Sequence, residues 1–503
     1  MPRDQRILFV YKGYENLGIE SLSAYLKKQN IQVDLLFDYS PFSNYSGFTN
    51  NVLNSVFGIS FERFLKTAIQ YITEKKPLLI GFSVHSLNYR WSLEVARNLK
   101  DVIDIPIVFG GVHVTAVPES VIANDCVDAV VVGEGYEALV ELLKSIENSR
   151  FTDKKIKNVY FKDKNEIIKN PVRPLITDLD QIPANDKDLF NEKLNVFYDR
   201  FLLLTSQSCP FSCTYCNNSL YLNLYKDQKI YRRRSIEHVM AELVRARSGH
   251  HIDLVQFDDE IFTRDKKWLE IFLIQYKQKI NTPYSVVSHF NFLNEDIIRL
   301  LKQTGCSYVE LGLQTWNETR RVNLLNRKTS NEIIINRTEM MNKYKLNYIF
   351  HHIIGWPHQT ARDFDNEIKQ YFMIKKPLFI QCFQLAYLPN TELTKWAVEN
   401  GVLTRADREA VDNGQIIDTM DVPNNPQFAK YQFLIQVLPG LPNSFLKWIL
   451  AKNRIRFVPS NVFIRQFIRL LIEFFRYPIR FILIIKYVFK FLFSKKRLFN
   501  FNR

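Results

Sequence analysis

Three of the chain's six cysteines fall within the eight positions 209–216, in the run Cys209-Pro210-Phe211-Ser212-Cys213-Thr214-Tyr215-Cys216. The spacing is C-x3-C-x2-C, and no histidine or fourth cysteine follows at the interval that would complete a tetrahedral zinc site. Thiolate sulfur holds iron clusters well, and three thiolates form an incomplete ligand set that leaves one iron of a cubane open to an outside ligand. Residues 201–205 (FLLLT) precede the cysteines as a short apolar run and read as a buried strand. The cysteines then occupy the loop after a strand, where a (β/α) barrel carries its chemistry. A zinc knuckle or a chance clustering is the alternative for the cysteines taken alone.

The run CPFSCTYC resembles the signature of the radical S-adenosylmethionine superfamily, with an aromatic residue, Tyr215, directly before the last cysteine. The resemblance implies a 4Fe-4S cluster held by Cys209, Cys213 and Cys216. It also implies S-adenosyl-L-methionine on the open iron, cleaved to a 5′-deoxyadenosyl radical, and an external electron donor such as flavodoxin or ferredoxin.

With 503 residues the chain has room for two or three domains. Cys126, Cys306 and Cys382 lie in apolar surroundings and read as packing residues of a reduced, cytoplasmic protein. The net charge of +15 would suit a nucleic-acid binder, but residues 441–503 hold 14 Lys and Arg against one acid, Glu473. The remainder is close to neutral, so the charge predicts a local surface contact and no nucleic acid. The N-terminus lacks the apolar core of a signal peptide.

Residues 1–147 alternate apolar strands (6–11, 31–37, 78–84, 105–109, 127–132) with helical segments such as 17–29. Continuously apolar strands predict a doubly wound parallel sheet covered on both faces, whose ligands sit at the carboxyl ends of the strands. Three turns fall there: 83–86, Gly110-Gly111-Val112-His113, and Gly133-Glu134-Gly135-Tyr136-Glu137. Glycines let backbone approach a bulky ligand; ordinary tight turns are the alternative. GGVHVTAVPE and VDAVVVGEGYEAL, placed ahead of the cysteine motif, resemble the cobalamin-binding domain found in this superfamily. On that resemblance Gly110, Gly111, Gly133 and Glu134 are candidate cobalamin contacts. Where cobalamin mutases carry D-x-H-x-x-G, this chain has Gly13-Tyr14-Glu15-Asn16-Leu17-Gly18, with Glu15 in place of the lower-ligand histidine. That implies cobalt unligated by protein imidazole, or a relic domain without cobalamin. His85 and His113 read as polar turn residues rather than ligands.

Residues 148–195 read as a linker with one hairpin (158–169), punctuated by Pro171, Pro174 and Pro183. Residues 196–395 read as the radical (β/α) barrel. Arg232 and Arg234 resemble the family's R-x-R-S, Ser235 is expected to cap a helix over 236–246, and Glu237 and Glu242 are expected on its solvent face. The strand 254–257 ends in Asp258-Asp259-Glu260, and charge there must meet a cation or water. The resemblance carries Asp258 and Asp259 over as contacts to the methionyl ammonium of S-adenosylmethionine, Gln314 as a ribose contact and Gly355, in an I-x-G-x-P-like strand, as a neighbour of the adenine. Tyr387-Leu388-Pro389-Asn390-Thr391 replaces P-G-T, with Asn390 suited to a left-handed turn. His351 and His352 are expected as satisfied core histidines.

Residues 396–503 form a helical C-terminal region. Within it, 396–440 carry no legible function, and 463–493 are apolar and aromatic with charged residues confined to an arc of roughly 140°. No uncharged run approaches the roughly 18–20 residues of a membrane span. The pattern predicts a basic amphipathic helix on the inner face of the membrane. Phe463, Phe467 and Leu470 would enter the head-group boundary, the basic arc would face phosphates, Pro478 would kink the helix and 495–497 would add charge. A terminal helix pair covering the barrel or a partner is the alternative.

These features together predict an α/β enzyme that activates an inert C–H bond of a small-molecule or lipid-like substrate. Cobalamin-dependent C-methylation is expected ahead of oxidation, cyclisation or rearrangement without methyl transfer. A methylthiotransferase would need a second cysteine set, and only Cys126 precedes the motif. A non-enzymatic cobalamin or iron-sulfur binder is the remaining alternative.

Overall fold

The computed structural model describes residues 5–39, 60–147, 149–163, 166–191, 200–249, 251–417, 419 and 425–476. The chain forms two compact units, and neither is continuous in sequence. The first draws on Met1–Lys193, Thr214–Arg232 and Tyr387–Ile417; the second on Leu194–Cys213, Arg233–Ala386 and Asp418–Arg503.

The first unit is built on β1 (Arg6–Gly13), β2 (Gln32–Tyr39), β3 (Leu79–Ser83), β4 (Ile107–Gly110) and β5 (Ala129–Val131), with β6 (Val159–Asp163) and β7 (Glu166–Lys169) as an edge hairpin. The sheet order is β2-β1-β3-β4-β5-β6-β7, parallel through β5 and antiparallel from there. Strand β1 explains the parallel core: Ile7, Leu8, Phe9 and Val10 are at most 3% exposed, so consecutive side chains on both faces are covered by helices. Each such side chain stabilises the fold by about 1.5–3 kcal/mol. Asn16 caps the helix Leu17–Lys28 by accepting from the Ile19 amide. The expected linker hairpin is therefore part of this sheet, because Tyr160 and Phe161 pair with β5. Segments 214–232 and 387–417 also pack in the first unit.

The second unit holds β8 (Arg200–Leu203), β9 (Leu254–Phe257), β10 (Tyr284–Ser288), β11 (Cys306–Gln314), β12 (Asn347–Ile354) and β13 (Ile380–Gln384). All neighbours pair in parallel in that order, so the sheet is open, with β8 and β13 as its edges, rather than a closed barrel. Its outward residues, among them Val309, Leu311, Phe350 and Ile354, pack under helices in one core. The alternating residues of β11 and β12, Glu310, Gly312, His351 and Ile353, are thereby left to the other, concave face.

Ser235 accepts from the His238 amide as the cap of Ile236–Gly249. Glu242 is not on the solvent face, however; it is 4% exposed and receives the Arg234 guanidinium. In the C-terminal helix Val462–Arg476 the orientation reverses the expectation for two basic residues. Arg465 is buried and donates to the Pro459 and Ser460 carbonyls, and Arg469 donates to Gln436. Pro478 and 495–497 lie outside the described residues.

Gly111 adopts φ +106°, and a Cβ there would lie 2.6 Å from the Val84 carbonyl oxygen and 2.8 Å from its nitrogen. Gly135, in the next turn of the sheet edge, would meet only side chains at 3.6 Å or more. Gly111→Ala is expected to lower stability by about 3 kcal/mol, and Gly135→Ala by under about 1 kcal/mol. Thermal unfolding of the two full-length variants checks the contrast.

Candidate functional site

The carboxyl ends of β3, β4 and β5 stand side by side, and each feeds one of the turns picked out in the sequence. Gly110 closes β4, and Gly111 packs its bare α-carbon on the Val84 backbone. Gly133 adopts φ +78° beneath the Tyr225 hydroxyl, which would lie 2.0 Å from a Cβ there. That hydroxyl also accepts from the Glu134 amide, and the Glu134 carboxylate receives Arg232 at 2.6 Å and the Ile176 amide at 3.4 Å. Arg232 of the R-x-R-S run is thus a clamp on the third turn. His113 is stacked on Tyr89, with Nδ1 on the Ser86 hydroxyl and Nε2 on the Asp412 carbonyl. Burial lowers its pKa to about 4, so it is a neutral core histidine.

Glu15, at the position of the absent histidine, is 5% exposed in its side chain and lies 2.6 Å from Lys187, which also reaches Glu20 at 2.7 Å. Its carboxylate is committed to that ion cluster. Glycines at the turns let backbone pack closely at this edge of the sheet, and Glu15 and His113 are both engaged with protein partners.

In the second unit Cys209 and Cys213 follow β8, Cys213 buried and Cys209 partly so. Burial pushes the Cys209 thiol up to about 11, the reverse of what a free nucleophile needs. A bound metal would supply the charge that deprotonates it. Arg327 donates to the Cys213 sulfur at 3.8 Å. His289, 2% exposed, lies against the Phe211 ring at 4.3 Å, and its Nδ1 accepts from the Asn291 amide. The proton then belongs on Nε2, which has no hydrogen-bond partner among the described residues. Buried donors cost about 1–3 kcal/mol when left unmet, so this cradle suits a sulfur-rich or anionic group. Among the described residues no three His, Cys, Asp or Glu side chains converge as for a single ion. A zinc knuckle would require that; a cubane, whose thiolates go to different irons, does not. Cys216 and Tyr215 lie on the first-unit segment, where the Cys216 carbonyl accepts from Ser219 at the start of the helix Asn218–Leu224.

Asp258, Gln314 and Gly355 lie at the carboxyl ends of strands of the second unit, and Asn390 belongs to the first. Gln314 has φ +65° beside an irregularity in the β11–β12 register, and its buried Oε1 has no partner among the described residues. Gly355, φ +82°, donates its amide to Gln359. Asp258 is exposed, and the protein around it, Glu310 and Asp259 raise its pKa against the Gln256 hydrogen bond. Asp259 is fully buried, accepting from the Thr205 amide and the Thr205 and Ser206 hydroxyls, with Arg233 3.9 Å away. It staples the end of β9 to the end of β8, so of the two aspartates only Asp258 is open. Asn390 takes the left-handed turn, φ +57°. His352 is fully buried on the Tyr371 hydroxyl, whereas His351 faces the concavity 3.0 Å from Glu310.

Sequence reasoning missed Arg327, His289, Glu310 and Tyr225. None lies in a recognisable local pattern; each acquires its place only when distant strands align.

A family model described as B12 binding domain matches residues 10–143, and one described as Radical SAM superfamily matches 203–370. An uncharacterized methyltransferase of Pyrococcus horikoshii is 29% identical over 315 residues, 62% of this chain and 66% of the relative. Anaerobic magnesium-protoporphyrin IX monomethyl ester cyclase of Rubrivivax gelatinosus is 22% identical over 69% of this chain and 65% of its own length. The chain thus spans just under two thirds of these curated relatives. The solved structure of OxsB, a cobalamin-dependent S-adenosylmethionine radical enzyme with aqua-cobalamin and S-adenosylmethionine bound, superimposes with TM-score 0.66 at 14% identity, covering 89% of this chain and 70% of that one. With a B12-type sheet ahead of a thiolate loop and an open parallel sheet, and both halves matched, this chain belongs to the radical S-adenosylmethionine superfamily, in the group that carries a cobalamin-binding domain.

Proposed function

We propose that the protein is a cobalamin-dependent radical S-adenosylmethionine C-methyltransferase acting on a small molecule, supplied with electrons by a flavodoxin- or ferredoxin-type donor. The observation that carries this reading is the pairing, in one chain, of the glycine-turned sheet edge with the C-x3-C-x2-C loop. When bound, the cluster supplies the electron that cleaves S-adenosylmethionine to a hydrogen-abstracting radical, and cobalamin supplies the methyl group.

The chain's residues then have these roles. Cys209, Cys213 and Cys216 would hold the cluster, and the Arg327 guanidinium at Cys213 would offset its negative charge. The open Oε1 of Gln314 would accept from a ribose hydroxyl, Gly355 would border the adenine and Asp258 would meet the methionyl ammonium. Glu310 accepts from Nε2 of His351, which leaves Nδ1 to take a hydrogen bond from the substrate. Gly110, Gly111, Gly133 and Glu134 shape the cobalamin edge.

Full-length protein reconstituted anaerobically is expected to retain hydroxocobalamin through gel filtration. With reductant and S-adenosylmethionine it is expected to form 5′-deoxyadenosine. Loss of cobalamin on the column removes methyl transfer from the reading. A second reading, ring closure or oxidation without methylation, is favoured by the cyclase match over 69% of the chain. Isotope from labelled S-adenosylmethionine methyl appearing in product separates the two.

A further inference from the structure

In the second unit the helix Asn443–Leu450 and the turn Ala451–Phe457 bring three exposed aromatic rings together. Phe445 stacks on Trp448 at 5.8 Å, and Trp448 on Phe457 at 6.2 Å. Arg454 lies over the Trp448 ring at 4.9 Å and Arg456 over the Phe457 ring at 5.0 Å. The helix Val462–Arg476 packs, like that turn, on the helix Pro426–Val437. It presents its apolar side outward: Ile464 is 49% exposed, Phe467 61%, Leu470 38% and Leu471 40%. The side toward the body carries Arg465 and Arg469, both hydrogen-bonded to protein.

A helix that turns arginines inward and phenylalanine and leucine outward is arranged for an apolar medium rather than for water. The rings supply a second indication. Aromatic groups with arginine planes on them suit the head-group level of a bilayer, where one side of the layer is apolar and the other anionic. Residues 443–472 hold six Lys and Arg and no Asp or Glu, and Lys447 and Arg456 are exposed, so the face is complementary to negative charge. No helix among the described residues is long and apolar enough to cross a membrane.

We propose that the face formed by residues 443–472 docks on an anionic lipid bilayer, with Phe467, Leu470 and Leu471 in the acyl boundary and Arg454 and Arg456 at the phosphates. A second copy of the chain or a fold-back of the chain's own end is the competing occupant, and the experiment separates them.

Full-length reconstituted protein is mixed with vesicles of phosphatidylcholine alone or containing phosphatidylglycerol, then sedimented. It is expected to pellet with the anionic vesicles and to be released by high salt. Arg454→Gln with Arg456→Gln is expected to lower the partition coefficient about thirty-fold, and Phe467→Glu with Leu471→Glu about a hundredfold or more. The iron–sulfur absorbance and 5′-deoxyadenosine formation of both variants stay at the parent level, which shows that they fold. Supernatant protein with both vesicle types overturns the proposal. So does parental binding by either double variant, or a parent that is dimeric on gel filtration while Phe467→Glu with Leu471→Glu is monomeric.

Discussion

Replacing Cys209, Cys213 and Cys216 together by Ala is expected to abolish the iron–sulfur absorbance and all 5′-deoxyadenosine formation. The loss should be complete because the fold offers no substitute thiolate. Cys306 and Cys382 are buried in the core of the second unit, where burial raises both thiols above their ordinary pKa, and Cys126 is buried in the first. Iron and sulfide analysis after anaerobic reconstitution checks it. Iron retained at the parent stoichiometry would refute the assignment of the ligands.

The second large effect is expected at Lys187. Its ammonium is the one cation bonded to Glu15 and Glu20 among the described residues, and all three side chains are at most 9% exposed. Removing one member of a buried ion cluster destabilises by about 3–5 kcal/mol, because the remaining charge is left uncompensated. Lys187→Met should show a loss of that size, and the loss should depend on pH. Burial already raises the Glu20 pKa well above the ordinary carboxylate value, with Lys187 pulling it down and Glu15 pushing it up. Without the ammonium the shift grows. A carboxyl whose folded pKa is raised holds its proton better in the folded state. Stability is then highest below the unfolded value of about 4.3 and declines as pH rises toward the folded value. The deficit of Lys187→Met should accordingly be larger at pH 8 than at pH 5, and Glu20→Gln in the same background should reduce the difference. Thermal unfolding at the two pH values decides it. An equal deficit at both would show that lost packing, not charge, is responsible.

Much of the fold was legible because its strands are short, apolar and bounded by turns. Residues 254–257 are a strand as expected, and 6–11, 31–37 and 201–205 each lie within about two residues of an observed one. The hairpin at 158–169 was legible as a hairpin, but its membership of the first sheet was not, since pairing with β5 depends on partners about thirty residues away. The site divides in the same way. Cysteines packed into eight positions announce themselves, whereas Arg327 reaches Cys213 across 114 residues of sequence. Asp258 and Asp259 are equivalent in a string of letters. Alternation along the chain end sends one to the open face and the other into bonds with Thr205 and Ser206. The terminal helix is the reverse case: its periodicity was legible, but which side met the body was decided by Gln436 and by the carbonyls at 459 and 460.

The interrupted make-up of the first unit bears on how the protein is made. Its sheet is finished once Lys169 has been translated, yet Gly133 is backed by Tyr225, Glu134 is held by Arg232, and His113 is bonded at Asp412. At roughly 5–20 residues per second, residue 417 leaves the ribosome about ten to forty-five seconds after residue 193. During that interval the nascent sheet edge lacks the groups that close its turns. The first unit, begun first in the message, is therefore completed only after most of the second has been made.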